Sequence, residues 1–502
     1  MSGHVVMSSG WFSPVGRVLS RIGLGVLGPF VSPELVDEAL CVAGRDEQRF
    51  RALPSRLGVY FVLVLTLLRV KSSTAVLRAM IPMEGLVRLA GLGWRVPSST
   101  GLTKLRDRLG VVPFQLLFGA LARFTPSPWR GWSHAFGLEV VAWDGTEVDL
   151  ADTDANREQF RPHRGKDGVS VGMPKIRLLV LLTCGSRRLL GAVTGPLGQG
   201  ETTLAHQLVP RLGAGMLLLA DRYFLSYRLW ITCRARGVHL LWRAKQATPR
   251  LPVQQALWDG SWHSTLHDPH DARVWRQRVR ENRRKGHRPP RPRPIKGITV
   301  RVVEALITVT VNGVTRTEKY RIVTSLLDPT QAPADQIVAL YARRWAAETG
   351  IREIKTTLLA GAPLRGRTPI RAQQELWATL IVYQAIRLFI NLAAHTHNLD
   401  PSRISFTAAR DAADHAITTT PTDAPRHLAW LVDDLCQQLI TIHTHHRIFP
   451  RTLKNTHSRY PSRSKTWHLT SRKASYQIAI TPATSPQHTT ATSTNPAQPR
   501  AA

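Results

Sequence analysis

Acidic residues are scarce in this chain of 502 residues: 34 Asp and Glu stand against 67 Lys and Arg, so that the formal net charge is +33 and the pI is near 11.3. No acidic residue follows Asp434. This balance does not fit an ordinary metabolic enzyme. It favours a phosphate polyanion as partner, because each phosphate that is neutralised releases condensed counterions. Nucleic acid is the first candidate and an anionic membrane is the second.

Cysteines and long apolar runs are also scarce. No CxxC pair occurs among the four cysteines, which argues against a disulfide framework and against a structural zinc site. An apolar run at Leu57–Leu68, about 12 residues between Arg56 and Arg69, is too short to span a bilayer. We therefore expect a cytoplasmic protein that does not enter a membrane.

The first part of the chain has the pattern of a helical domain. Residues 1–30 are rich in Gly and Ser and are expected to be flexible. Ser32-Pro33-Glu34 is typical of a helix start, and helical periodicity recurs from there to Phe124. The sequence thus predicts an all-helical domain over residues 31–130. Its basic residues favour a DNA-binding module, although a helical cap over another domain would give the same pattern.

The pattern then changes to short apolar runs that end in polar residues. Leu138–Trp143 is followed by Asp144, Met216–Ala220 by Asp221, and Val238–Trp242 by Arg243. Strands that alternate with helical stretches predict an α/β core, here over residues 136–397. Ligand chemistry in such sheets gathers at the strand ends.

An insertion of different character occupies residues 246–320. Strand patterns recur at its C-terminal end, whereas residues 273–301 hold twelve Lys and Arg and one acid, Glu281, with four prolines. This composition predicts an extended or mobile basic segment. Solubilising charge is the alternative, but contact with phosphates is the better explanation for twelve cations with a single acid among them. Arg283, Arg284 and Lys285 are candidate DNA-binding residues, together with Arg243.

The C-terminal part becomes basic and poor in acids. A helical region is expected over residues 398–455, followed by a basic low-complexity tail over residues 456–502, of which about the last 25 residues should be disordered. His443, His445 and His446 could indicate a metal site. With no cysteine or carboxylate pattern nearby, general base enrichment is the better interpretation.

The most informative stretch runs from Tyr341 to Lys355. In a helix, Tyr341, Arg344, Glu348 and Lys355 would fall within an arc of about 60° on one face. An acid flanked by groups that contact phosphate or water is how a metal site is built over a polyanion. A solvated, salt-bridged helix face is the alternative for such a run taken alone.

Asp144, Asp221 and Glu348 are the candidates for one site. Hard carboxylate oxygens can hold two Mg²⁺ ions about 4 Å apart, the arrangement that activates a water or a 3′-hydroxyl for in-line displacement at phosphorus. Taken singly, each aspartate has a simpler explanation. Asp144 precedes Gly145, as turn residues often do, and Asp221 could cap a helix.

These residues resemble the motifs of a known family. The spacing Y-x2-R-x3-E-x6-K at residues 341–355 is similar to the signature of bacterial DDE transposases of the insertion-element-four family. AWDGT around Asp144 and LLLADRYF around Asp221 resemble the two aspartate motifs of that family. The resemblance covers roughly residues 30–410, and the Y-R-E-K signature is its most specific part.

The resemblance implies a ribonuclease H-like catalytic core with a β-rich insertion, in which Asp144, Asp221 and Glu348 are the catalytic and metal-binding triad. Tyr341, Arg344 and Lys355 would contact DNA phosphates near the cut. It also implies two Mg²⁺ ions, for which Mn²⁺ would substitute, and a homodimer on double-stranded DNA that joins inverted-repeat ends to a target. The protein would then lie in the bacterial cytoplasm with the nucleoid. Aromatic residues that could hold a flipped base in a hairpin, with core packing as the alternative, are Trp258, Trp262 and Trp275.

One residue departs from the family pattern, and three other functions stay open. The family has Gly or Asn where Tyr223 stands, so we expect Tyr223 to tighten or disturb the turn next to Asp221. The first alternative is a decayed or repurposed DNA-binding protein on the same scaffold. The second is an RNA-processing nuclease of similar core, and the third is a polyanion binder without chemistry, for which the three acids have no explanation.

Overall fold

The computed structural model describes residues 13–20, 22–47, 52–69, 71–123, 132–164, 170–245, 251–288, 290–311, 314–418, 424–440, 447–448 and 472–483. The predictions for residues 1–12, for the three histidines at 443–446 and for most of the tail fall outside these residues.

The described N-terminal part is helical, as predicted. Its helices are α1 (Pro14–Leu19), α2 (Pro33–Val42), α3 (Ser55–Leu67), α4 (Ser73–Met80), α5 (Met83–Gly91), α6 (Ser99–Leu109) and α7 (Val112–Arg123). Ser32 caps α2 by accepting a hydrogen bond from the Leu35 amide at 3.4 Å. The expected flexibility of residues 1–30 is wrong for residues 13–20 and 22–30, because Leu19, Leu24 and Leu27 are buried in the core.

The rest of the described chain combines one large sheet that has helices on both faces with a separate two-stranded sheet formed by the third and fourth strands. The strands are β1 (His134–Ala135), β2 (Leu138–Asp149), β3 (His163–Arg164), β4 (Ser170–Val171), β5 (Lys175–Thr183), β6 (Leu189–Pro196), β7 (Met216–Ala220), β8 (His239–Arg243), β9 (Gln255–Ala256), β10 (Trp262–His267), β11 (Gly297–Val311), β12 (Val314–Thr324), β13 (Arg447–Ile448) and β14 (Arg472–Ile480). The helices are α8 (Asp154–Gln159), α9 (Glu201–Leu208), α10 (Tyr227–Arg234), α11 (Pro269–Arg284), α12 (Ala334–Tyr341), α13 (Trp345–Arg352), α14 (Pro369–Thr396), α15 (Phe406–Thr418) and α16 (Ala424–Gln437).

Starting from one edge, the first five strands of the large sheet have the order β6-β5-β2-β7-β8. β2, β5 and β6 are antiparallel neighbours, whereas β7 is parallel to β2 and β8 is parallel to β7. Side chains alternate between the two faces. Val141 and Trp143 pack on the face that is covered by α9 and α10. Val140 and Ala142 pack on the opposite face together with Ala347 of α13. This second face is the one on which the candidate carboxylates lie.

The insertion adds strands to the large sheet and also contains a helix. β11 and β12 form a long antiparallel hairpin, and β12 pairs with β8 where Ile322–Thr324 lies opposite Leu241–Arg243. The prediction of an extended basic segment over residues 273–301 is wrong for residues 273–284, which lie in α11 (Pro269–Arg284). Asp268 caps this helix, with Pro269 at its first position, and the prolines that prevent helix formation begin only at position 289.

The C-terminal tail contributes a strand to the same sheet. Over residues 472–480, β14 pairs antiparallel with β11, so the low-complexity interpretation of residues 456–502 is wrong for this segment. Residues 401–403, 406–418 and 424–437 are helical, in agreement with the predicted C-terminal helical region.

The longest helix, α14, lies in the core of the protein. It has 28 residues and is apolar enough to cross a membrane by length and composition, but 94% of its most apolar 18-residue stretch is buried inside the protein. It packs against α3 and α7 of the N-terminal part and against α15 and α16 of the C-terminal part. Its apolar surface is therefore explained by packing within this chain.

A glycine packs closely against the first turn of α14. This contact gives a first testable prediction. The Gly366 amide donates to Glu375 Oε2 at 3.0 Å, and a Cβ at this position would lie 2.3 Å from the Ala372 backbone nitrogen. Because helical backbone cannot move aside cheaply, we expect Gly366→Ala to lower the free energy of unfolding by about 1–3 kcal/mol in a denaturant titration. Gly91→Ala is the control. That position has open space around it in α5 and should be neutral or slightly stabilised. Equal effects of the two changes would contradict the steric argument.

Candidate active site

Two of the three candidate acids lie side by side on neighbouring strands. β2 and β7 are parallel, and Ala142 is paired with Leu219. Asp144 and Asp221 each come two residues later, so they share a register position on strands whose spacing is about 4.8 Å. Residues two positions apart on a strand point to the same face. Asp144 and Asp221 therefore share the face of Ala142 and Leu219, which is covered by α13. The fold thus aims both carboxylates towards the helix that carries Glu348.

The surroundings of Asp144 differ from the predicted strand end. β2 does not end at Trp143 but continues to Asp149, because it stays paired with β5 (Asp144 lies opposite Val180) after β7 has ended at Ala220. Asp144 is therefore not a turn residue. It occupies the point where one strand continues and its parallel neighbour stops.

Asp221 does follow the end of its strand, as predicted, and its backbone is fixed by a local turn. Its Oδ1 accepts a hydrogen bond from the Tyr223 amide at 2.7 Å. Helix α10 begins later, at Tyr227, and is capped by Ser226. The explanation of Asp221 as a helix cap is therefore wrong, and its carboxylate retains an oxygen for other partners.

The stretch that carries Glu348 is not one straight α-helix. α12 ends at Tyr341, a 3₁₀ turn covers Ala342–Arg344, α13 follows, and a π-helix covers Glu353–Leu358. The single regular helix on which the predicted arc of about 60° depends is therefore interrupted twice, and the arc itself stays a prediction. Lys355 lies in the π-helix, and its Nζ donates to the Glu147 carbonyl at 2.8 Å and to Thr146 Oγ1 at 3.2 Å. The two irregular turns fit the helix to the β2 end of the sheet.

Tyr341 lies under the site rather than on its surface. It is 6% exposed, and its hydroxyl donates to the carbonyl of Ala220 at 3.3 Å. Ala220 directly precedes Asp221, so this bond ties α12 to the end of β7. In this structure the hydroxyl faces the sheet, and its predicted contact with a DNA phosphate stays a prediction.

The charges of the site are coupled. Burial raises the pKa of Asp144 to about 6; the charges of Glu348 and Asp221 add to the rise, whereas the charge of Arg344 and the hydrogen bond from the Gly145 amide oppose it. Arg344 Nη2 donates to Glu348 Oε1 at 2.6 Å. The three acids are thus close enough to repel one another at Asp144, and Arg344 offsets part of this repulsion.

The three carboxylates are suitable ligands for a divalent cation, although their side chains are not arranged as a complete metal site. Among the residues that the structure describes, no three metal-ligating side chains are close enough to form a ready-made metal site. Asp144, Asp221 and Glu348 nevertheless offer hard carboxylate oxygens whose mutual repulsion a cation would relieve. Glu348 would have to exchange its bond to Arg344 for the metal.

A fourth acid was missed from the sequence. Glu201, the first residue of α9, lies against the backbone of Gly145, where a Cβ would be 2.5 Å from Glu201 Oε1. Burial raises the pKa of Glu201, and the charges of Asp221 and Glu147 add to this effect. The sequence signals only a helix start at this position. Its proximity to Gly145 and Asp221 depends on the packing of α9 against the sheet.

Tyr223 does not disturb the turn, contrary to expectation. The turn is closed by the bond to Asp221, and the next residue, Phe224, is buried against Trp143 with ring centroids 5.4 Å apart. Tyr223 points outwards and is 59% exposed. The chain therefore accommodates the larger side chain by turning it away from the core.

The remaining predicted residues lie on the strand end and in the insertion. Arg243 at the end of β8 stacks on the Tyr320 ring at 3.8 Å and forms an ion pair with Glu318. Three of the predicted DNA-binding cations are exposed at the C-terminal end of α11: Arg283, Arg284 and Lys285. Trp262 is buried and Trp258 is 72% exposed. Core packing therefore explains Trp262, and the base-holding role stays a prediction for Trp258 and Trp275.

Comparison with known proteins decides the family. The family model of the transposase DDE domain matches residues 135–385, which contain all three candidate acids, and the model of the insertion element 4 transposase N-terminal domain matches residues 21–119. The chain belongs to the DDE transposase family. This agrees with the resemblance of its motifs.

Named relatives of this transposase come from Escherichia coli strain K12. The transposase InsG for insertion sequence element IS4 is 26% identical over 456 residues, which cover 89% of this chain and 95% of InsG. The putative transposase InsZ is 29% identical over 156 residues, which cover 30% of this chain and 50% of InsZ. Among solved structures, a piggyBac transposase synaptic complex with hairpin DNA has a TM-score of 0.39 at 11% identity, covering 83% of this chain and 85% of that one.

Proposed function

We propose that this transposase cuts DNA at the ends of an insertion sequence and joins those ends to target DNA, using Asp144, Asp221 and Glu348. The observation that carries this proposal is the shared register and face of Asp144 and Asp221, with Glu348 near enough to act on the pKa of Asp144. Three coupled carboxylates next to the ends of parallel strands are suited to phosphoryl transfer.

The catalytic core is best described as ribonuclease H-like, over residues 136–397. Three antiparallel strands followed by two parallel ones, in the order β6-β5-β2-β7-β8 with helices on both faces, support this assignment. We assign the binding of DNA ends to the helical domain over residues 31–130, which the match to the N-terminal family model supports.

Mg²⁺ is the proposed cofactor, as two ions that Mn²⁺ would replace. Bound there, it would supply Lewis-acid stabilisation and a more acidic water or 3′-hydroxyl. Asp144, Asp221 and Glu348 would hold it. Arg344, whose guanidinium is bonded to Glu348 and lies near Asp144, would be released to contact a DNA phosphate once metal binds Glu348. Arg243 extends the positive edge of the site along β8.

Double-stranded DNA is the proposed partner, both as inverted-repeat ends and as target. The formal charge of +33 and the exposed cations of α11 support this choice. We further propose a homodimer on DNA, so that the two ends of an element are held together, and a location in the bacterial cytoplasm with the nucleoid.

An assay of strand cleavage tests the proposal. The substrate is a duplex that carries the terminal inverted repeat read from the DNA next to the gene. We expect cleavage at the repeat boundary that requires Mg²⁺ or Mn²⁺. Metal-independent binding without cleavage would favour the repurposed DNA-binding protein, and a preference for RNA would favour the RNA-processing nuclease.

The basic end of α11 gives a second testable prediction. Replacing Arg283, Arg284 and Lys285 by glutamine should reduce the slope of log affinity against log salt by up to about 3, because each phosphate contact contributes about 0.9. A filter-binding or fluorescence titration at several salt concentrations measures the slope. Arg283→Lys with Arg284→Lys keeps the charge and is the control. An unchanged slope in the glutamine variant would show that this end of α11 does not contact DNA.

A further inference from the structure

An exposed aromatic side chain stands directly beside the candidate carboxylates. Tyr223 is 59% exposed although it lies two residues from Asp221, whose Oδ1 accepts a hydrogen bond from the Tyr223 amide. Phe224 is buried, and its amide donates to the Asp221 carbonyl at 3.3 Å. The ring of Tyr223 is therefore held outwards by a rigid turn, and only its two side-chain torsions are free.

Two cations frame this ring. The Arg222 guanidinium lies 5.4 Å from the ring centroid, and the Lys245 ammonium lies 5.0 Å from it. Arg222 comes from the turn after β7, whereas Lys245 follows β8, the next strand of the sheet. Exposed aromatic rings accompanied by cations are surfaces on which proteins stack the bases of single-stranded DNA. The cations, which cover part of the Tyr223 ring in the absence of DNA, would then turn to the flanking phosphates.

We propose that Tyr223 is a stacking surface for one unpaired base of the DNA strand next to the scissile phosphate. The inference rests on the proposed function, because that function places a DNA strand at Asp221. Arg222 and Lys245 contact the phosphates on either side of the stacked nucleotide. Every base has a face that can stack, so the contact orients the strand at the site without selecting its sequence.

The fold offers a matched control for an exposed aromatic residue. Trp430 on α16 is also 59% exposed, but α16 packs mainly against α14, with further contacts to α15. Tyr223→Phe keeps the stacking face and removes the hydroxyl, whereas Tyr223→Ala removes both. None of these changes removes a buried side chain, so all three variants should fold.

The experiment combines these variants with DNA that lacks single bases. The probe is a duplex of the element end in which the nucleotides flanking the cut are mismatched, with one abasic position moved along the strand. Affinity is measured without divalent metal, so that no cleavage occurs. With all bases present, Tyr223→Ala should weaken binding by about 5- to 150-fold, whereas Tyr223→Phe and Trp430→Ala should bind within about twofold of the unaltered protein.

The abasic series separates stacking from a general loss of charge or fold. At one or two positions beside the cut, removal of the base should weaken the unaltered protein but have little further effect on Tyr223→Ala. Equal losses for both proteins at every position would overturn the stacking proposal and leave the proposed function intact. A protein that binds no element-end DNA at all would overturn both.

Discussion

Asp144→Asn is expected to lower the rate of strand cleavage at least about 10³-fold. It should also make the metal-free protein more stable at neutral pH. Loss of one carboxylate ligand removes several kcal/mol of transition-state stabilisation, and each 1.36 kcal/mol corresponds to a factor of ten in rate. The rate is measured with the inverted-repeat duplex in Mg²⁺.

The gain in stability follows from the pKa of Asp144. Burial raises it to about 6 from an ordinary value of 3.8, with Glu348 and Asp221 adding to the rise. A raised carboxyl pKa stabilises the folded state below about pH 4, and this contribution is lost as the pH rises through 6. At pH 7 the charged Asp144 therefore costs up to about 3 kcal/mol, which asparagine avoids. Denaturant titrations of both proteins at pH 4 and pH 7, without metal, measure the difference.

Divalent metal should reverse this order of stability. Mg²⁺ that binds the carboxylates stabilises the unaltered protein, whereas Asp144→Asn should gain little. Asp152→Asn is the control: Asp152 lies beyond the end of β2, is paired with Arg157 and is well exposed, so neither cleavage nor stability should change by much. If Asp144→Asn cleaved DNA at the normal rate, Asp144 would not be a metal ligand.

Two of the candidate acids, Asp221 and Glu348, were selected from local signals in the sequence. Asp221 follows a run of buried apolar residues, and Glu348 lies in a spaced signature. The surroundings of Asp144 were predicted less well. Asp-Gly-Thr has the composition of a turn, whereas the continuation of β2 depends on pairing with β5, about 35 residues later in the chain. Local composition does not contain that information.

The irregular turns around Glu348 are a second feature that could not be predicted from the helical periodicity of the sequence. They arise from contacts with distant parts of the chain: Tyr341 is bonded to Ala220, and Lys355 to Glu147. Glu201 and Lys245 were missed for the same reason. The strand β14 is different, because the alternation of Ala474, Tyr476, Ile478 and Ile480 with polar or small residues is a local strand signal within the tail.

A buried ion cluster holds the helix of Glu348 against the core. Glu353 Oε1 accepts from Arg187 Nη1 at 2.6 Å, and Oε2 accepts from Arg387 and from the Tyr383 hydroxyl, the latter at 3.3 Å. Burial alone would raise the pKa of Glu353, but the charges of Arg387 and Arg187 and the bonds from Arg387 and Tyr383 outweigh it, and the pKa is lowered. The cluster thus contains one carboxylate and two guanidinium groups.

The charges of this cluster predict which substitutions lower the free energy of unfolding most. Glu353→Gln leaves two buried guanidinium groups without a counter-charge and should cost about 3–5 kcal/mol of unfolding free energy. Arg387→Met replaces the arginine by an unbranched, uncharged side chain and leaves Arg187 and Glu353 as a neutral pair. This change should therefore lower the free energy of unfolding by less than Glu353→Gln does. Denaturant titration at pH 7 gives both values. Asp411→Asn, which breaks an exposed pair with Arg410, is the control and should change stability by less than about 1 kcal/mol.

The dependence on pH provides an independent check of the same cluster. Because the pKa of Glu353 is lowered from 4.5, its stabilising contribution is present above about pH 4.5 and is lost as the pH falls through the lower, folded-state value. The difference between the unaltered protein and Glu353→Gln should therefore shrink on acidification. Glu353 lies five residues after Glu348, at the start of the π-helix. A variant that still folds should accordingly lose cleavage more than DNA binding, because Glu348 is no longer held over β2. A larger cost for Arg387→Met than for Glu353→Gln would mean that packing, and not charge balance, holds this helix in place.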